Sequence, residues 1–319
     1  MPPESSTPPR YSHPRDSPLR ASVIVTTYNR PERLRRMLRA LVAQDLPLNE
    51  FEVVIVDDGS PQPIAPVAEA FMDRLQITLH RQPNSGPAVG RNTAISLARS
   101  RFIVMLDDDC EPAPSWLSIL VAALEANPEA MVGGHTMNGL PDNLYSAVSQ
   151  MIVDRVYAVH NAEPAKAGFF TSSNLGVSRE LLVALGSFDT DYRLAGGEDR
   201  GLSDRWRNSG HAMIYVAAAT IFHFHELDLR RYLRQHFNYG RGALHYHRTR
   251  VTSHAGEAKT ARGIVFDFTA WRSLIRERRG PHSTFAIIAL LFLWQAANTA
   301  GYFWEAMARG SRILGIRAR

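Results

Sequence analysis

Short apolar runs alternate with amphipathic helices, and this alternation most constrains how the chain folds. Residues 21–27, 51–57, 75–80 and 102–106 are rich in β-branched and other apolar residues, as buried strands are. The segments between them carry apolar residues at helical spacing, and Pro31 suits the first turn of one such helix. The pattern predicts an α/β fold in which helices flank a mostly parallel sheet.

Polar clusters follow three of these predicted strands. They are Thr26–Asn29, Asp57–Ser60 and Asp107–Asp109. In open α/β sheets ligands bind at the carboxyl ends of the strands, so the three clusters predict one ligand site. Three adjacent carboxylates repel one another unless a cation neutralises them, and a divalent metal suits such a site. A solvated acidic turn is the alternative.

The next part of the chain predicts a mixture of helices and strands. Residues 198–209 read as an amphipathic helix that begins after two glycines and ends at Gly210. We expect Trp206, within this helix, to lie in the core. The strand predicted over residues 211–225 places His223 and His225 on one face.

Several site classes are excluded or unsupported. No Gly-rich phosphate loop follows the first strand, which argues against classical dinucleotide and P-loop sites. Cys110 is the single cysteine, so no internal disulfide forms, as in a reducing compartment. Residues 1–20 are rich in Pro, Ser and Arg and are expected to be a disordered lead-in.

A basic segment precedes an uncharged apolar one near the C-terminus. Residues 226–280 hold twelve Lys or Arg against five Asp or Glu, which suits nucleic acid or an anionic membrane surface. Residues 281–304 contain no charged side chain and are long enough to cross a bilayer. Because an apolar segment follows the basic one, the sequence favours a membrane surface as the partner and disfavours nucleic acid.

The arrangement of the apolar helix is left open by the sequence. Both of its flanks are basic, so a single crossing would place one basic flank on the wrong side. We expect a basic helical segment over 226–280, a membrane-associated or re-entrant helix over 281–308, and a basic tail over 309–319. A full span is the near-equal alternative, and a buried core or dimer helix is the third.

Seven fragments, in order, resemble the family-2 glycosyltransferases. They are "VIVTTYNRPERL", "EVVIVDDGS", "NSGPAVGRNTAI", "FIVMLDDDC", "TSSNLGVSRE", "GSFD" and "GGEDRGLSDR". The resemblance implies a Rossmann-like GT-A domain over residues 21–225 that moves a sugar from a nucleotide-diphosphate donor to an acceptor hydroxyl, inverting the anomeric carbon. The processive QxxRW motif is absent, and "RQHFNYGRG" resembles the tail of single-transfer bacterial members.

The resemblance implies Mn²⁺ or Mg²⁺ at the acidic run. Asp109 is expected to bind the metal, with Asp107 supporting it and Asp108 contacting the donor ribose. His223 fits the place of a further metal ligand better than His225 does. Strand-end histidines that bond to backbone or acceptor are the alternative for both.

The same resemblance implies donor contacts at the other strand ends. Asp58, and less clearly Asp57, would accept a hydrogen bond from the base, which Thr26 and Tyr28 would frame. A simple turn is the alternative for these acids. Arg91 would reach the donor phosphates, or would pair with Asp58 or Asp109.

The "GGED" fragment resembles the family's catalytic segment. Asp199 would be the general base, and Glu198 would lie on the acceptor side or hold the start of the helix. For either acid the alternative is a carboxylate that only stabilises the helix N-terminus through the helix dipole. Asn174 resembles the acceptor-side asparagine. His245 and His247 lie in a predicted helix and are expected to be solvated.

The expected function is therefore inverting, metal-dependent hexosyl or deoxyhexosyl transfer at the cytoplasmic face of a bacterial cell membrane. The acceptor would be a lipid-linked or cell-envelope glycan. A sugar-phosphate nucleotidyltransferase is one alternative, but "TTYNRPERL" lacks the Gly-rich basic loop it needs. A non-catalytic nucleotide-binding membrane scaffold is the other, against which Asp109, Asp199 and His223 argue.

Overall fold

The order of strands and helices follows the apolar runs of the sequence. The computed structural model describes residues 19–192, 196–253 and 281–313. Its strands are β1 (Ala21–Thr27), β2 (Phe51–Asp57), β3 (Gln76–Arg81), β4 (Phe102–Leu106), β5 (Cys110–Pro112), β6 (Met131–Asn138), β7 (Asn174–Ser178) and β8 (Met213–His223). Its α-helices are α1 (Pro31–Val42), α2 (Ala65–Glu69), α3 (Pro87–Leu97), α4 (Trp116–Ala126), α5 (Leu144–His160), α6 (Arg179–Ala184), α7 (Glu198–Asn208), α8 (Leu229–Ser253) and α9 (Thr284–Ile313).

The eight strands form one mixed sheet in the order β3-β2-β1-β4-β7-β6-β8-β5. The first four are parallel, β7 is antiparallel to both of its neighbours, and β8 runs parallel to β6. The predicted α/β sheet is confirmed. The register pairs Thr27 with Asp57 and Asp57 with Arg81, so the parallel strands end at one edge.

Alternate residues of the central strands build two cores, one on each face of the sheet. On one face Val23 and Val53 pack with α1, α2 and α4. On the other face Ile24 and Val54 pack with α3, α6 and α7. Because both faces are covered, the strands are continuously apolar.

A third apolar cluster joins α5, α8 and α9. It contains Val148 from α5, Tyr232 from α8, and Leu290 and Trp294 from α9. Within the described residues, Thr284–Arg309 is the one helix long and apolar enough to cross a membrane, with a mean hydropathy of 1.4 and 28% of its apolar window buried. The predicted C-terminal apolar helix is confirmed.

Two predictions about single side chains have opposite outcomes. Trp206 is fully buried, as expected, and its indole nitrogen donates to the Ala212 carbonyl. The expectation that His245 is solvated is wrong, because its ring is buried and its Nε2 lies 2.9 Å from Asp189 Oδ2. His247 is half-buried against Tyr302.

Parts of the predicted organisation lie outside the described residues. They are the lead-in up to residue 18, residues 254–280 of the basic segment, and residues 314–319 of the basic tail. The expected domain boundaries therefore stay a prediction.

Replacing Gly240 by Ala should weaken the packing of α8 on α9. A Cβ at Gly240 would lie 1.9 Å from the Asn298 backbone oxygen, which no side-chain rotation relieves. The gain in helix propensity is about 1 kcal/mol, whereas overpacking costs roughly 1–3 kcal/mol. We expect a lower midpoint of thermal unfolding, measured by calorimetry. Ala300→Ser, at an exposed position of α9, is the control, and a raised midpoint for Gly240→Ala would contradict the packing.

Candidate active site

The site lies where β1, β2 and β4 end at one edge of the sheet. Parallel register brings the end of β1 beside the acidic run that follows β4. The Thr27 hydroxyl donates to Asp108 Oδ2 at 2.6 Å, and the Asp58 amide donates to the Thr27 carbonyl at 2.9 Å. The three polar clusters predicted from the sequence are therefore brought together.

Each aspartate of the run Asp107–Asp109 has an arginine partner. Arg91 Nη2 lies 3.2 Å from Asp107 Oδ1, and Arg30 Nη1 lies 3.0 Å from Asp108 Oδ1. Arg33 Nη1 lies 2.9 Å from Asp109 Oδ2. These charge-assisted contacts explain how three adjacent carboxylates are tolerated.

The sequence alone does not identify Arg30 and Arg33 as site residues. Both belong to "YNRPERL", which directly follows the polar end of β1. Their position beside a strand end was the available signal. It was not decisive, because most arginines in an amphipathic helix face solvent.

The two metal ligands expected from the sequence lie side by side. Asp109 Oδ1 is 3.2 Å from His223 Nε2, and Cys110 is paired with His223 across the β5–β8 ladder. Ligands at about 2.1 Å from an octahedral ion lie about 3 Å apart at neighbouring positions. Asp109 and His223 therefore fit one divalent cation, and an oxygen–imidazole donor pair suits Mn²⁺.

The pKa shifts favour Asp109 over Cys110 as a ligand. Burial would lower the pKa of His223, but the charge and hydrogen bond of Asp109 raise it overall, so a metal must displace a proton from this ring. Burial would raise the pKa of Asp109, but the charge and hydrogen bond of His223, together with Arg30, lower it overall. Burial, followed by the adjacent acids, raises the pKa of the Cys110 thiol, which disfavours the thiolate that binds metals. His225 stacks on His223, with 4.9 Å between the ring centroids, and it is His223 that contacts Asp109.

Asp199 has the properties of a general base. It lies in the first turn of α7, after Gly196 and Gly197, both of which have positive φ. Its Oδ1 is buried, with no hydrogen-bond partner in the part of the chain that the structure describes. Burial, and then the neighbouring Glu198, raise the pKa of Asp199 to about 7, against the opposing effect of Arg91. A carboxyl group with this pKa can exchange a proton near neutral pH.

Arg91 connects the acidic run to the segment that carries this base. Its Nη1 lies 3.3 Å from Glu198 Oε1, while its Nη2 contacts Asp107. The alternative in which Arg91 pairs with Asp58 or Asp109 is wrong, because its partners are Asp107 and Glu198, and its contact with the donor phosphates stays a prediction. The acidic run after β4 and the segment that carries Asp199 are therefore brought together at the Arg91 side chain.

The carboxylate of Asp58 organises the loop before α3. It accepts hydrogen bonds from the Gln82 side chain at 2.8 Å, the Ser85 amide at 2.9 Å and the Gly86 amide at 2.8 Å. Asp57 accepts one from the Ser60 amide at 2.9 Å. The expected contact of Asp58 with a nucleotide base stays a prediction.

The other donor candidates at the end of β1 differ in exposure. Tyr28 is 46% exposed, so its ring is available to a ligand. Thr26 Oγ1 is buried and has no partner among the described residues, and Gly90 of α3 packs against its methyl group. Both remain candidates to frame the base.

The two acceptor-side candidates are engaged in internal contacts. Asn174 is fully buried, accepts from the Trp116 indole at 2.8 Å, and donates to the carbonyls of His135 and Ala219. These bonds give Asn174 a structural role, and its expected place on the acceptor side stays a prediction. Glu198 Oε2 accepts from the Gly196 amide at 2.6 Å, so Glu198 holds the start of the helix, and its acceptor-side role stays a prediction.

Comparison with known proteins identifies the family. The model of the family described as "Glycosyl transferase family 2" matches residues 22–186, more than half of the chain. The chain belongs to glycosyltransferase family 2. Glycosyltransferase AglE of Haloferax volcanii is 26% identical over 235 residues, which cover 70% of this chain and 72% of AglE. Hyaluronan synthase of Pasteurella multocida is 28% identical over 211 residues, 56% of this chain but only 22% of the synthase.

Solved structures of other glycosyltransferases share the fold. The mannosyltransferase PcManGT from Pyrobaculum calidifontis, in complex with GDP-Man and Mn²⁺, has a TM-score of 0.59 at 22% identity, covering 97% of this chain and 84% of that one. A fragment of S. aureus TarS has a TM-score of 0.51 at 18% identity, covering 94% and 93%. The GT-A fold expected from the resemblance is confirmed.

Mn²⁺ should bind this protein through Asp109 and His223. Asp109→Asn and His223→Ala each remove one donor, so we expect each to weaken Mn²⁺ binding at least tenfold, measured by the loss of the free-ion signal in electron paramagnetic resonance. His225→Ala is the matched control and should bind Mn²⁺ like the parent. Unchanged affinity in both ligand variants would contradict the assignment.

Proposed function

We propose that the protein transfers a sugar from a nucleotide-diphosphate donor to an acceptor hydroxyl, with inversion at the anomeric carbon. The observation that carries this proposal is the connection through Arg91 between the acidic run and the segment of Asp199. The acidic run, with its arginines and metal ligands, suits a departing diphosphate, and Asp199 suits an incoming alcohol.

The reaction divides between these two ends. The acceptor oxygen attacks the anomeric carbon, the bond from that carbon to the diphosphate oxygen breaks, and Asp199 takes the acceptor proton. A single displacement of this kind inverts the anomeric carbon. Mn²⁺ or Mg²⁺, when bound by Asp109 and His223, would accept charge from the leaving group.

Arg30 and Arg33 add positive charge next to the metal ligands. Arg33 is largely buried, whereas the Arg30 side chain is about half exposed. We infer that a bound donor diphosphate takes over part of their interaction with Asp108 and Asp109. This use of fixed cations resembles other phosphate sites, where Arg contacts phosphate oxygens in a fixed geometry.

The donor is inferred to contact the ends of β1, β2 and β4. Asp108 would contact the donor ribose, and Asp107 would support the metal. The base would be contacted by Asp58, Thr26 and Tyr28. Solved relatives of the same fold contain GDP-Man or UDP, which supports a nucleotide-linked donor here.

The acceptor is inferred to be a lipid-linked or cell-envelope glycan at the cytoplasmic face of the membrane. The apolar helix α9 packs on α8, and α8 in turn packs on the Gly196 loop next to Asp199. A relative from Haloferax volcanii, 25% identical over 223 residues, is named glucosyl-dolichyl phosphate glucuronosyltransferase. Absence of the QxxRW motif favours transfer of one or a few sugars.

Replacing Asp199 by Asn should abolish transfer and preserve donor binding. The amide keeps the shape of the side chain but cannot take the acceptor proton, and general-base catalysis contributes about 10²–10⁴-fold. The donor is first identified from a panel of nucleotide sugars by thermal stabilisation with and without Mn²⁺. Turnover is then followed as release of the nucleoside diphosphate.

Glu129→Gln, at an exposed site, is the matched control for this experiment and should turn over like the parent. Full activity in Asp199→Asn would contradict the base assignment. Loss of donor stabilisation in the same variant would mean that Asp199 serves binding instead.

A further inference from the structure

The outward face of α9 is apolar. Its large exposed side chains are Phe285, Phe292, Leu293, Phe303, Trp304 and Met307. The remaining exposed positions between Phe285 and Met307 are Ala296, Thr299 and Ala300. A helix at the surface of a water-soluble protein normally places its apolar stripe inward, so α9 has the reverse polarity.

Several polar side chains of α9 face the protein, whereas Thr299 is exposed and bonds within the helix to Gln295 at 3.4 Å. Glu305 Oε2 lies 2.9 Å from Arg241 Nε on α8, and Tyr302 packs against His247. The backbone of Asn298 lies against Gly240. The reversed polarity is therefore not caused by a lack of polar residues, and the outward face is suited to an apolar environment.

α8 supports α9 from its first half to its last turns. The Tyr232 hydroxyl donates to the Leu290 carbonyl at 3.0 Å, and Gly301 packs against the Phe237 carbonyl. Near the end of α9, Arg309 Nη1 lies 3.4 Å from His245 Nδ1. α9 therefore lies along α8 and does not leave the domain as a separate helix.

This packing is difficult to reconcile with a full crossing. At 1.5 Å per residue the 26-residue segment Thr284–Arg309 extends about 39 Å, enough to cross a bilayer. A crossing would also bring α8 into the hydrocarbon, together with its exposed Arg231, Arg234 and Arg248. Charged side chains at the centre of a bilayer are costly, so the length of α9 does not decide its placement.

Unpaired arginines accompany the apolar face. Arg230 and Arg234, one turn apart on α8, are exposed and have no ion-pair partner among the described residues. Phe237, one turn further along, contacts Trp304 of the outward face at 6.4 Å between ring centroids. Apolar residues beside unpaired cations are the composition that anionic lipid surfaces bind.

We propose that α9 lies in the plane of the membrane interface, with its outward face in the lipid and its α8 face on the catalytic domain. This inference rests on the proposed membrane-associated function and gives its geometry. It also places the acceptor site close to the bilayer, because α8 contacts both α9 and the loop that precedes Asp199.

Vesicle binding tests the outward face. The full chain is co-sedimented with phosphatidylcholine vesicles containing phosphatidylglycerol. We expect the F303E/M307E double variant to bind at least tenfold more weakly. Val183→Glu, which changes an equally exposed apolar residue on α6, is the matched control and should bind like the parent. Arg230→Gln with Arg234→Gln should weaken binding about tenfold on these vesicles and little on phosphatidylcholine alone.

Cysteine labelling tests the in-plane orientation. Ser283→Cys and Ala308→Cys flank the apolar face, and the native Cys110 is fully buried. In intact vesicles carrying externally added protein, a membrane-impermeant maleimide should label both positions. Labelling of one end only would mean that α9 spans the bilayer and would overturn the proposal.

Two further results would overturn it. The first is failure of the parent protein to bind vesicles. If sedimentation equilibrium then shows a dimer that F303E/M307E disrupts, a second copy of the chain covers the outward face of α9. The other is vesicle binding retained by F303E/M307E. Thermal stabilisation by the nucleotide sugar is measured in all variants. A variant that loses vesicle binding but keeps this stabilisation has an intact donor site, so failure of this inference is distinguished from failure of the proposed glycosyl transfer.

Discussion

The contact of Arg91 with both Asp107 and Glu198 is the interaction on which the account of this site depends. It holds the acids after β4 and the start of α7 within the reach of one side chain, although they are separated by about ninety residues of chain. The buried guanidinium also opposes the rise in the pKa of Asp199 that burial and Glu198 cause. Without it, Asp107 and the buried Glu198 would lose the cation that both of them contact.

A second constraint is that helix α8 packs against two different segments of the protein. Gly242 meets the Gly196 carbonyl on one side of the helix, and Gly240 meets the Asn298 carbonyl on the other. Both contacts bring backbone against backbone, which only glycine permits at these distances. The segment that carries the base and the apolar helix α9 are therefore held by the same helix, which connects the chemistry of the site with the inferred position at the membrane.

The sequence predicted those features that local pattern determines. Continuous apolar runs such as Val53–Val56 mark strands covered on both faces, and their polar ends marked the site. The partners of Arg91, the burial of His245 and the internal bonds of Asn174 depend on tertiary contacts between distant segments. For α9, composition predicted an apolar helix, but only its packing on α8 shows which face is outward.

The pH dependence of kcat/KM in an Arg91→Met variant tests the central claim most directly. Arg91 opposes the rise in the pKa of Asp199, so its removal should raise that pKa and move the acid limb of the profile from about pH 7 to higher pH. Arg91→Lys, which keeps the charge, should leave the limb near its original position. An acid limb that stays in place in Arg91→Met would show that the two ends of the site are not coupled through this residue.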